Sequence, residues 1–250
     1  MGSAKEHMFE LAHERMIQWM RDAYSIAEDV DLDENYPGYE GMAAVYEHEQ
    51  EREDYEAHMQ WFDEHPYDEI YNSFRGRLRQ LIEMVEKDRN PFADKMIHQM
   101  VFAHSVTLFE AMVGDVIKAV VLKHSRMLEK LIKGMGEEVK NKFSLEEICK
   151  YNSINGIIMS VLSGATFHDV KQVEKYVNMF TTSKFASEYA GRMTQITILR
   201  HDFVHRNGKS KEGEYHQVTT EMVLEIISVI EEFSEDIYQA IIAEMTPNEF

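Results

Sequence analysis

The chain has 250 residues, 44% apolar and 28% charged, with only 12 Gly and 4 Pro. That composition supports one large core, or a core with a helical extension, and excludes collagen-like, low-complexity and Gly-rich β architectures. The formal net charge of -19, from 26 Lys plus Arg against 45 Asp plus Glu, excludes a protein that coats duplex nucleic acid with a broad basic face, so any such contact has to be local.

The single cysteine, Cys149, leaves no intramolecular disulfide and no cysteine-based zinc site, which fits a reducing cytoplasm. No run reaches the roughly 18 uncharged apolar residues of a membrane span, and Met1 to His7 hold no apolar signal core. A soluble cytoplasmic protein with no membrane partner is therefore expected.

Residues 1–90 carry 23 acids and 9 bases, and within 31–69 fourteen acids face one base, Arg52. Tyr36-Pro37-Gly38 and His65-Pro66 interrupt this stretch, which reads as a loop and a highly charged surface helix. Its plain role is a solvated face; the sharper one is a lid over a basic site elsewhere in the chain. At Asn90-Pro91 a capping residue precedes a Pro suited to the first helical position, and a domain boundary is expected there. The helix that follows carries Ile97, Val101, Leu108, Met112 and Val116 on one stripe and Val106, Val113 and Ile117 on a second, as a central helix does. His104, between Val101 and Leu108, is expected to be a satisfied core histidine.

Ser144-Leu-Glu-Glu147 reads as a capping box, and Thr166 to Asp169 as a second cap before a helix through Phe180. Gly156 and Gly164 flank the apolar run Ile157 to Leu162. A further helix is expected from about Ser183 to Asn207-Gly208, residue types that accept a left-handed helix end. The last helix, Val218 to about Met245, repeats Val223, Ile227, Ile230, Ile237 and Ile241, with Met222, Ile226, Val229 and Phe233 widening the face enough for a core plus a subunit contact. With no convincing hairpin signal, the fold class is all-α.

Candidate chemistry concentrates near the end of the helix before that last one. Residues 192–211 hold Arg192, Arg200, Arg206, Lys209 and Lys211 against one acid, Asp202, a local net charge of +4 that marks an anion site. At 100° per residue, Arg200 lies at the edge of the core stripe of Ile196, Leu199 and Phe203, and His205 is about 140° away. One chain does not aim both at a single spot, but two copies about a two-fold axis can build a cleft from both. Such a cleft suits RNA cleavage by its own 2′-hydroxyl: histidine moves a proton near neutrality and the guanidinium pairs with the crowded phosphorane, so no metal or cofactor is needed. The plainer alternative is a surface arginine and a helix-end histidine favoured by the macrodipole.

The run Arg200-His201-Asp202-Phe203-Val204-His205, followed by Arg206-Asn207-Gly208, resembles the HEPN superfamily of all-α ribonucleases and nucleotide-binding domains, especially the RiboL-PSP-like group linked to stress response and phage defence. The family pattern is Arg, a polar Asn, Asp or His, several further residues, then His. Leu108-Phe109-Glu110-Ala111 on an earlier helix adds a weaker similarity. The resemblance implies a HEPN-like bundle over 91–250 behind an acidic helical extension over 1–90. It implies Arg200 and His205 as catalytic, with His201 and Glu110 supporting. Arg192, Arg206, Asn207, Lys209 and Lys211 are then the candidates to hold RNA phosphates. Glu110, on an apolar stripe, is expected to have a cationic partner. The activity implied is a homodimeric endoribonuclease acting as a toxin or abortive-infection effector, alone or with a regulatory partner. The alternative is a non-catalytic HEPN-like module that binds a nucleotide or a protein. Members silenced by tyrosine AMPylation carry Tyr two residues after the His, where this chain has Asn207; that regulation is not expected.

Overall fold

The computed structural model describes residues 4–87, 91–139 and 154–245. Cys149, the cap at Ser144 to Glu147 and the capping role of Asn90 lie outside these residues. Among the described residues there are nine helices and no sheet: α1 (Ala4–Tyr24), α2 (Tyr39–Glu64), α3 (Tyr67–Glu86), α4 (Pro91–Lys123), α5 (Ser125–Val139), α6 (Ile154–Ser163), α7 (Val170–Phe180), α8 (Ala190–His205) and α9 (Thr220–Met245). The all-α class holds, and none of these helices is long and apolar enough to cross a membrane.

The chain divides into two compact units between Trp61 and Phe62. In the smaller, Met20, Leu32, Tyr39 and Met42 are buried together, and the Arg21 guanidinium closes the loop after α1 by donating to Ala27 O and to Val30 O, the latter at 2.9 Å. Gly38, at φ 87°, turns the chain into α2. Most carboxylates of α2 are exposed, with Arg52 between Glu49 (3.8 Å) and Glu56 (4.0 Å), a geometry of little energetic weight in water.

The two compact units part at 61/62, whereas the sequence placed a boundary at 90/91. Tyr71, Phe74, Leu78, Leu81 and Val85 make a buried stripe on α3 that packs on α4, so α3 belongs to the larger unit. The Asn-Pro signal marks the start of a helix, and that helix does begin at Pro91. Helix α4 is the hub: it touches α3, α5, α6, α8 and α9, and both expected stripes are buried except for Ile97, which is half-buried. His104 departs from expectation and is exposed. It falls on the side of α4 shared by the exposed Met96, Met100, Thr107 and Ala111, which none of the described helices covers.

The broad apolar face of α9 is also used differently from the expectation. Val223, Ile226, Ile227, Val229, Ile230, Phe233, Ile237 and Ile241 are all buried against α3, α4, α7 and α8 within the chain. Contact with four other helices consumes the width that was expected to leave a subunit contact.

Asp169 caps α7 by accepting from Lys171 N at 2.9 Å. Helix α8 begins at Ala190, seven residues after the expected start. Side chains hold the preceding segment in a non-helical course: Phe185 N donates to Asn178 Oδ1 (2.7 Å), Ser187 Oγ donates to Asp236 Oδ2 (2.6 Å), and Thr182 N and Oγ1 donate to Glu244 (2.5 and 2.9 Å). Lys130 Nζ completes this last cluster, 2.6 Å from both Glu244 Oε2 and Phe180 O. Burial pushes the Glu244 carboxyl up, but Lys130 and Thr182 together hold it below the ordinary glutamate range.

Glu244→Gln is therefore expected to lower the unfolding free energy by about 1–3 kcal/mol, read from urea unfolding near neutral pH. The parent's advantage is full above the unfolded glutamate pKa of about 4.3 and is lost as pH falls through the lower folded value, so the two unfolding curves should converge in acid.

Candidate active site at the end of helix α8

Helix α8 packs on α4 through Met193, Ile196, Leu199 and Phe203. Phe203 meets Phe102 edge-on at 5.3 Å, and Gln99 lies beside Gly208, so the start of α4 faces the end of α8 and the two run antiparallel. The opposite face of α8 is uncovered and carries Thr194, Ile198, His201, Val204 and His205, with Ile198 60% and Val204 48% exposed.

The helix ends as its sequence expects. Asn207 has φ 53° and Gly208 φ 77°, and the carbonyl of Asp202 accepts from Arg206 N and Gly208 N, both at 3.0 Å. The chain then turns back at Gly213, with Ser210 N donating to Glu214 O (2.8 Å) and His216 N to Gly208 O (2.9 Å). This return brings His216 Nε2 to 3.0 Å from Asp202 Oδ2, while Arg206 forms an ion pair with Oδ1 of the same carboxylate. Asp202 is buried, and the hydrogen bond to His216, with Arg206 adding to it, holds its carboxyl below the usual aspartate range against the opposing effect of burial. The i, i+4 spacing of Asp202 and Arg206 is visible in the sequence, whereas His216, fourteen residues on, reaches Asp202 only through the turn at Gly213.

The expected site residues separate into two sets. Arg206 is committed to Asp202, and Arg192 pairs with Glu225 of α9 at the far end of α8, about 20 Å along the helix from His205. Two of the five cations in 192–211 are thus held by carboxylates. Asn207 is exposed at the left-handed turn; Lys209 and Lys95 sit 4.9 and 5.4 Å from the centre of the Tyr215 ring; Lys211 is exposed. The other set is not committed. Arg200 is half-buried at the edge of the core stripe, with its Nε shut off from solvent and without a hydrogen-bond partner. His201 and His205 are exposed one turn apart with ring centres 4.6 Å from each other, and among the described residues neither makes a hydrogen bond or ion pair.

Glu110 is half-buried on α4, and its Oε1 is likewise buried without a hydrogen-bond partner. The expected cationic partner is not in place among the described residues. From the Phe102–Phe203 contact, Glu110 is eight residues along α4 and Arg200 three residues back along α8, an offset of roughly 7 Å along the antiparallel axes. Two groups of opposite charge on packed helices thus each keep an unused hydrogen-bonding atom. Comparison with family models, with curated proteins and with solved structures finds no significant match to this chain.

The turn that closes the site depends on Gly208: its φ is positive, and an added Cβ would stand 3.1 Å from the Phe203 ring. Gly208→Ala is expected to destabilise by about 1–2 kcal/mol. Gly76→Ala, in the middle of α3 where an added Cβ meets nothing within 4 Å, should stabilise by about 0.5–1 kcal/mol. Urea unfolding of both variants checks the contrast.

Proposed function

We propose that this protein is a HEPN-like, metal-independent endoribonuclease whose reacting site is completed by a second copy of the chain. The observation that supports this reading best is the division within α8: Arg192 and Arg206 are committed to carboxylates, whereas Arg200, His201 and His205 keep their hydrogen-bonding capacity. Arg200 leans toward the core and the histidines point outward, so one chain leaves them on different faces of the helix. The uncovered face with Ile198 and Val204 is the surface on which a second copy would bring its own Arg200 toward these rings.

In that arrangement an RNA phosphate is held by Arg200 of one copy and meets His205 of the other. His205 takes the proton of the 2′-hydroxyl; the 2′-oxygen attacks phosphorus; the bond to the 5′-oxygen breaks, and water protonates the departing oxygen. The products are a 2′,3′-cyclic phosphate and a 5′-hydroxyl. Arg200 stabilises the extra charge of the phosphorane, and His201 orients its neighbour and the substrate. Lys209 and Lys211 extend the anion site beyond the helix end, and the role in the cell is that of a toxin or phage-defence effector.

Labelled single-stranded RNA, incubated with the protein in excess EDTA, is expected to yield cyclic-phosphate ends. Arg200→Ala and His205→Gln should each lower cleavage at least about 100-fold without loss of folding, and His201→Gln should cost less. Glu110→Gln should melt at or above the parent temperature, since it removes a partly buried charge with no partner, while reducing cleavage. Full activity in both the Arg200 and the His205 variants would reject this site, and absence of cleavage under all conditions would favour a non-catalytic module that binds a nucleotide or a protein partner.

A further inference from the structure

Of the twelve histidines in the chain, only His201 and His205 are spaced three or four residues apart. Their rings share one exposed face of α8, 4.6 Å between centres and 44° between planes, with no hydrogen bond to a described residue that holds them otherwise. We propose that this pair is a chelating site for one divalent transition-metal ion, and that the bound ion inhibits the protein.

The geometry fits two nitrogen ligands. With metal–nitrogen bonds of about 2.0–2.1 Å, each ring centre lies roughly 3.2 Å from the ion, so centres 4.6 Å apart subtend about 90° at the metal. That angle suits square-planar or octahedral Ni²⁺ and Cu²⁺, and a small side-chain opening reaches the tetrahedral angle that Zn²⁺ prefers. Position adds to this. Both residues lie in the last turn and a half of α8, where the partial negative charge of the helix end favours a cation. No group of three or more His, Cys, Asp or Glu among the described residues is placed around an ion, so the pair supplies two ligands and water fills the remaining positions. Among the described residues neither ring is oriented by a carboxylate behind it, which sets this site apart from a structural metal centre and makes its occupancy reversible.

The metal site itself stands on ring geometry alone; its inhibitory effect rests on the ribonuclease reading. An ion that takes the ring nitrogen of His205 removes the lone pair that would accept the 2′-proton. The same ion adds positive charge where Arg200 already serves, and so cannot replace the lost base.

Isothermal titration of the full chain with NiCl₂, in a buffer without chelator, should show one ion per chain. His201→Gln and His205→Gln should each weaken binding about tenfold or more, whereas His104→Gln, at an exposed solitary histidine of α4, should leave it unchanged. Mg²⁺ should not compete. Thermal melting monitors folding, and saturating Ni²⁺ should raise the melting temperature of the parent and not of the two variants. Unaltered Ni²⁺ affinity in either variant, or no binding by the parent, would overturn the site. In the cleavage assay, saturating Ni²⁺ should suppress turnover and EDTA restore it. Turnover that continues at the parent rate with the pair saturated would overturn the inhibitory role, and a protein that binds Ni²⁺ through this pair but never cleaves RNA would leave the metal site standing while the ribonuclease reading falls.

Discussion

The buried carboxylate of Asp202 is the constraint on which the end of α8 depends. Its side chain joins Arg206 and His216, and its backbone carbonyl receives Arg206 N and Gly208 N. One residue therefore closes the helix, takes up a charge that would otherwise sit at the site, and fixes the chain that returns from Gly213. A buried aspartate is tolerated only with such partners, and it has them on both oxygens. With Asp202 turned inward, His201 and His205 are left on the outer face of the same turn, and Lys209 stays beside Tyr215.

The electrostatics of the site are accordingly narrower than a count of charges implies. The segment 192–211 is strongly basic in a chain of net charge -19. Two of its five cations are neutralised by Glu225 and Asp202, and what remains is concentrated around Arg200, Lys209 and Lys211. Against α4, Arg200 and Glu110 each hold one buried atom without a hydrogen bond. Native interiors seldom leave such atoms, and where they do, a ligand or a rearrangement on binding is a natural recipient. The arrangement is a small group of cations beside two exposed imidazoles, resting on the α4–α8 packing.

Much of the fold was legible because it is written in local patterns. Two apolar stripes marked α4 as central, Asp169 marked the start of α7, and Asn207-Gly208 marked the end of α8, since each signal acts within a few residues. What was not legible depends on distant partners. The segment before α8 is kept from helix by Asn178, Asp236 and Glu244, and the breadth of α9 is absorbed by four other helices. His104 shares a wheel sector with apolar residues, yet lies on a side of α4 that none of the described helices covers. At the site, the Arg and His positions were visible as a motif, and their placement on different faces followed from helix geometry. The i, i+4 spacing of Asp202 and Arg206 is local, whereas the contact of His216 with Asp202 requires the turn through Gly213; the proximity of His201 to His205 is implicit in their spacing.

The central claim is that Arg200 of one copy works with His205 of another, and subunit complementation tests it most directly. Arg200→Ala and His205→Gln chains, each inactive alone, are mixed in equal amounts under conditions that exchange subunits, and RNA cleavage is measured. Half of the dimers should then pair one variant with the other, and each such dimer has one intact site of two, so activity should recover to about a quarter of the parent level. A mixture that stays as inactive as its two components, while subunit exchange is verified, would contradict the composite site.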